Sequence, residues 1–150
     1  MAQGSVSIAV LPEPKATVAL SKAEGWQVAL NLSECWSAVV DTPLTMGCVV
    51  VRNAFLKEDP QAVARFVTDC AASIAYIGDA ANRQESAALI AGAGILPSEG
   101  VASKALANLQ GSITCLTGAE MKNALQGFYE VIGQAQPEDS FYYGAYAVAE

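Results

Sequence analysis

Residues 46–52, MGCVVVR, constrain the fold more than any other stretch of this chain. The run is apolar and unbroken, yet shorter than an ordinary helix. Three consecutive valines favour a pleated surface, because branching at Cβ restricts their rotamers against a helical turn. A strand apolar on both faces belongs to a sheet covered on both sides, and such sheets are mostly parallel. Two other segments alternate with the period of a strand. In Ser5–Val10 the apolar residues are Val6, Ile8 and Val10; in Trp26–Leu32 they are Trp26, Val28, Leu30 and Leu32. Ser112–Leu116 reads as a fourth short strand or an extended connector.

The first strand is expected to stop at Leu11-Pro12-Glu13-Pro14. Two prolines in three residues remove two backbone donors and bias Leu11 and Glu13 towards extended backbone. Pro14 then suits the first position of a helix through Lys22. Strand, stiff elbow and helix in succession are where open α/β sheets bind ligands. Glu13 would stand there beside free helical N–H groups, or would simply cap its own helix, which is the commoner role.

From Asn53 onward helix dominates. Asn53–Glu58 reads as a helical turn. Asp59-Pro60 joins an N-cap aspartate to a first-turn proline, and Val63, Phe66, Val67, Cys70, Ala71, Ile74 and Ala75 follow on one stripe before Gly78-Asp79. Further helices are expected over 83–93 and from Pro97-Ser98 to Leu109. Thr117 to Glu120 matches a capping box ahead of a helix buried through Met121, Leu125, Phe128 and Ile132. Phe141, Tyr142 and Tyr143 form an aromatic cluster expected to pack near the C-terminus.

Composition narrows function. Fifteen acidic residues against eight basic give a net charge of −7, which disfavours nucleic acid and anionic membrane surfaces as partners. No histidine is present, so Ser-His and Cys-His catalysis and His-ligated metal are excluded. The cysteines, Cys35, Cys48, Cys70 and Cys115, form no C-x-x-C pair. Cys48 and Cys70 read as small buried hydrophobes. No apolar stretch is long enough to cross a bilayer, and no export signal is expected in the opening MAQGSVSIAV. No metal or cofactor is expected.

Four stretches together resemble the C-terminal part of the substrate-binding proteins of ABC importers, in the group of nitrate, sulfonate, taurine and thiamine-precursor binders. SVSIAVLPEP is similar to that family's G-x-V-D-x-A-V-L-x-E-P segment, with Ser7 where aspartate is usual. MGCVVVRNAFLKEDPQAVARFVTDCAASI resembles its returning strand and the helix after it. LTGAEMKNALQGFYEVI resembles a late helix, and PEDSFYYG the tail. The resemblance implies an α/β fold: an incomplete periplasmic-binding-protein-like (type II) three-layer architecture with a helix-rich C-terminal half. Residues 1–41 would end the second lobe, 42–45 would be a hinge crossing, and 46–150 would complete the first lobe. The family's N-terminal half would have no counterpart here.

On this reading the chain is a solute-binding component, or a fragment of one, of an ABC-type importer. It would be non-enzymatic, would act beside a membrane permease without entering the membrane, and would work in the periplasm or another extracytoplasmic space as part of its full-length relative. Glu13, Pro14 and Thr17 would lie at the ligand cleft on the elbow. Thr45, Met46 and Gly47 would line it where the chain re-enters the first lobe. Trp36 could stack on a ligand ring, although core packing is the commoner fate of a tryptophan. With half of the cleft wall missing, the chain alone is expected to bind solutes weakly or not at all. The alternative is a small α/β interaction domain that dimerises through an exposed sheet edge or lobe face. An enzyme using Cys48 or Cys115 with Glu13 lacks any evident thiolate stabiliser.

Overall fold

The computed structural model describes residues 6–22 and 24–144. Ser5, where the first expected strand begins, lies outside the described residues. Among them are seven α-helices: α1 (Lys15–Leu20), α2 (Leu32–Ser37), α3 (Asn53–Glu58), α4 (Pro60–Gly78), α5 (Arg83–Gly92), α6 (Glu99–Asn108) and α7 (Gly118–Val131). Two 3-10 turns, Ala80–Asn82 and Asp139–Phe141, complete the regular structure.

No described residue is in a strand, which corrects the expected α/β class and the incomplete periplasmic-binding-protein-like three-layer architecture. The segments read as strands, 6–10, 26–31, 46–52 and 113–116, run as irregular chain. A strand is stabilised by the ladder to its neighbour and by the face it buries, and even an isolated hairpin is marginal in water. None of these segments has a ladder, and the first three are largely uncovered as well. Ile8 is 86% exposed, Val10 77%, Leu30 70%, Val49 71% and Val50 74%. Alternation and valine content are present, but the pairing partner and the covering layer are not.

The helices follow local chemistry closely. Asp59 Oδ1 accepts the Ala62 N–H at 2.9 Å, so α4 starts at the expected cap-and-proline signal. Ser98 caps α6 through the Val101 N–H. Asn31 caps α2 by accepting from the Ser33 and Glu34 N–H groups. The capping box at α7 does not form: Thr117 is the N-cap, but its side chain accepts no cap hydrogen bond.

The chain falls into two compact units, Met1–Gln27 with Lys57–Cys115, and Val28–Leu56 with Leu116–Glu150. In the first, α5 packs on α6 around Ala87, Ala102 and Leu106, with Ile77, Ile90 and Leu96 closing over them. The small side chains Ser86, Ala87, Ala102 and Ala105 are almost fully buried, which lets the two backbones approach closely. The expected stripe of α4 is covered only in part: Val63 is buried, Val67, Cys70, Ala71 and Ile74 are half-buried, and Phe66 and Ala75 are exposed.

In the second unit, α7 presents Phe128 to Trp36, with ring centroids 5.6 Å apart. Tyr142 is buried beneath Lys122, which lies 5.9 Å from its ring centre and pairs with Asp139 at 2.8 Å. Gly118 opens α7 at φ +56°, and a Cβ there would stand 3.1 Å from the Gly144 carbonyl oxygen. Both the left-handed backbone and the close approach call for glycine.

Candidate functional site

The elbow exists, without its strand. The Glu13–Pro14 peptide bond is cis, and α1 begins immediately after it. Glu13 Oε2 accepts the Thr17 N–H at 3.2 Å, while Oε1 accepts the Thr17 hydroxyl at 3.0 Å. The N–H groups of Ala16 and Val18 bond to the carbonyls of Pro12 and Pro14. The free donors expected at this helix start are therefore largely taken, and Glu13 does cap its own helix. It does more as well. Asn108, at the end of α6, donates its side-chain amide to Glu13 Oε1 at 2.9 Å and to Thr17 Oγ1 at 3.1 Å. One carboxylate, one buried hydroxyl and one amide thus tie the elbow to α6 across more than ninety residues of sequence.

Beside this cluster lies a surface cavity of about 320 Å³, lined by Thr17, Leu20, Ser21, Lys104, Ala107 and Asn108. Thr17 and Asn108 belong to both the cluster and the wall. Glu13 and Pro14 do not line it, but the Glu13 carboxylate is hydrogen-bonded to Thr17 and Asn108, which do. Lys104 adds the ammonium, and Leu20 and Ala107 add the apolar floor. The volume is at the small end of ligand sites, suited to a compact solute.

The remaining expected residues gather in the second unit. Thr45, Met46 and Gly47 line a cavity of about 200 Å³ together with Cys48, Leu125, Phe128 and Tyr129. Trp36 does not line it. Its indole N–H donates to the Thr42 carbonyl at 2.6 Å and its ring rests on Phe128, so it packs α2 against α7. Cys48 is exposed, not the buried hydrophobe its apolar neighbours imply. Burial, and then the neighbouring Cys70 thiol, push the Cys115 thiol above its ordinary value, which disfavours the thiolate a nucleophile needs.

Asn108, Lys104 and Ser21 escaped the sequence reading. The elbow motif announces Glu13 and Thr17, but nothing local to residues 104–108 tells that the end of α6 returns to them. Among the described residues no group of His, Cys, Asp and Glu side chains is arranged to hold a metal ion, and no helix is long and apolar enough to cross a membrane. No known protein family, curated protein or solved structure matches this chain.

Proposed function

We propose that this chain is a non-enzymatic solute-binding component that takes a small polar molecule against Thr17, Ser21, Lys104 and Asn108, with Glu13 positioning the first and last of these. The observation that carries the reading is the Glu13–Thr17–Asn108 cluster: three polar groups from two distant elements, mutually hydrogen-bonded, at the edge of a cavity. The same elbow is where the resemblance to importer binding proteins places a ligand wall. On that reading the chain serves an ABC-type importer and its membrane permease, in an extracytoplasmic space.

The cavity is shallow and three of its polar residues, Ser21, Lys104 and Asn108, are exposed, so affinity in the isolated chain is low, with dissociation constants on the order of 1 mM. The test is an NMR titration of the isotope-labelled chain with benzylamine, methanesulfonate and nitrate. Amide shifts confined to Thr17, Ser21, Lys104 and Asn108 for at least one probe support the proposal, and their loss in Asn108→Ala assigns them to the cluster. Saturating concentrations that leave all four amides unmoved refute it.

A second reading is favoured by a different observation. The exposed apolar side chains of residues 8–10, 28–32 and 46–50 leave surface that another polypeptide would cover. On that reading the chain is an interaction module, and self-association of the wild type that is abolished by Val49→Lys with Val50→Lys favours it over solute capture.

A further inference from the structure

Leu125, Phe128 and Tyr129 stand three and four residues apart on α7 and so share one face of it. The chain passes this face as irregular backbone over residues 45–48, and a cavity of about 200 Å³ lies between the two. Every residue lining it belongs to the second unit. Two aromatic rings of the wall are set at a steep angle: Phe128 meets Tyr129 edge-on, with centroids 6.4 Å apart and planes at 65°. Trp36 supports Phe128, its ring centroid 5.6 Å away and its indole N–H fixed on the Thr42 carbonyl. Across from them Met46 is 71% exposed, so its unbranched thioether is not committed to packing elsewhere. No Asp, Glu, Lys or Arg lines this cavity, in contrast to the one that Lys104 borders in the first unit.

We propose that the cavity on α7 is a second binding site, which takes a neutral molecule of one aromatic ring, such as a phenol. Size supports a single ring, since an apolar cavity of about 150 Å³ is enough to admit benzene. The wall supports aromatic character. A ring in the cavity can stack on one of Phe128 and Tyr129 while meeting the edge of the other, and a methionine sulfur packs favourably at a ring edge. The absence of charged side chains supports neutrality, because an ion brought against this wall loses solvation that no countercharge returns. Thr45 and Tyr129 bring hydroxyls that can meet one polar substituent. The site is independent of the one on Thr17 and Asn108. It lies in the other unit and selects different chemistry, so either can fail alone.

The first measurement is an NMR titration of the isotope-labelled full chain with phenol, with cyclohexanol as the non-aromatic counterpart and benzoate as the charged one. Phenol is expected to shift the Gly47, Cys48, Leu125, Phe128 and Tyr129 amides, with cyclohexanol and benzoate each binding more weakly. Tyr129→Leu keeps apolar bulk and removes one ring, so it is expected to weaken phenol binding by roughly two- to tenfold. The second measurement uses the wild-type lining and the exposed Cys48 thiol, in a chain carrying Cys35→Ser, which does not line the cavity. Trypsin places Cys48 in peptide 23–52, Cys70 in 66–83 and Cys115 in 105–122. Phenol is expected to slow iodoacetamide alkylation in the first peptide and to leave the other two unchanged. Amides that stay unmoved at the solubility limit overturn the proposal. So do shifts spread equally over the exposed apolar residues 8–10 and 28–32, cyclohexanol or benzoate binding as tightly as phenol, or Cys48 alkylation that phenol does not slow.

Discussion

Asn108→Ala removes one side-chain amide that donates both to the Glu13 carboxylate, at 2.9 Å, and to the Thr17 hydroxyl, at 3.1 Å. A hydrogen bond to a charged group contributes about 1.5–3 kcal/mol when well shielded. Here Asn108 is exposed and Glu13 only half-buried, so solvent screening reduces that contribution by about half. Thr17, only 5% exposed, keeps its bond to Glu13 and is not orphaned by the change. The expected loss is therefore about 1 kcal/mol, read as a lowered midpoint of urea unfolding by circular dichroism with an unchanged slope. A double-mutant cycle with Glu13→Ala isolates the pair. If the bond links α1 to α6, the two changes together cost about 1 kcal/mol less than their sum. Costs that add to within about 0.3 kcal/mol would show that Asn108 and Glu13 do not act together, and would remove the basis for the proposed site.

Asp59→Ala removes the cap of α4 and is expected to cost about 1 kcal/mol in the same unfolding assay, with Asp59→Asn retaining most of it. Gly127→Ala would place a Cβ 2.6 Å from Thr42 Oγ1 and 3.1 Å from Cγ2, so rotating the threonine exchanges one clash for the other. A loss of about 1–3 kcal/mol is expected, with a change in Trp36 fluorescence because its indole donates to the Thr42 carbonyl. The Tyr142 hydroxyl is buried without a partner. Burial first, then Tyr129 and Asp139, raise its pKa against the opposing Lys122. Its proton is thus held to higher pH in the folded chain than in the unfolded one. That contribution to stability is complete below the ordinary tyrosine value of about 10 and is lost as pH rises through the folded value. Tyr142→Phe is expected to leave neutral-pH stability unchanged or higher, and to flatten the alkaline decline in a series of unfolding midpoints. A clear loss at neutral pH would mean that the hydroxyl has a partner after all.

The helices were legible because their signals are local. Asp59-Pro60 marks α4, Ser98 marks α6, and Arg83–Gly92 falls within a single alanine-rich stretch. The sheet was misread for the complementary reason. Val6, Ile8 and Val10, or Val49 to Val51, show only that a segment would pair if it met a neighbour, and no residue in the segment shows that the neighbour is there. The site was half legible. Pro12, Glu13 and Pro14 announce a stiffened turn into a helix, and Thr17 lies one turn on, but Asn108 reaches them through the packing of α6 on α1, which no local pattern encodes. Trp36 carried equal chemistry for stacking on a ligand or on a neighbour, and Phe128 decides it.

Amide hydrogen exchange across the whole chain tests most directly whether this protein is a small helical core with its valine- and isoleucine-rich segments left open. Slow exchange in α5 and α6, with rapid exchange over residues 8–10, 28–31 and 48–51, is the pattern that follows from the structure. Protection of those three segments equal to that of α6, in the isolated chain at low concentration, would mean that they pair into a sheet and would contradict it.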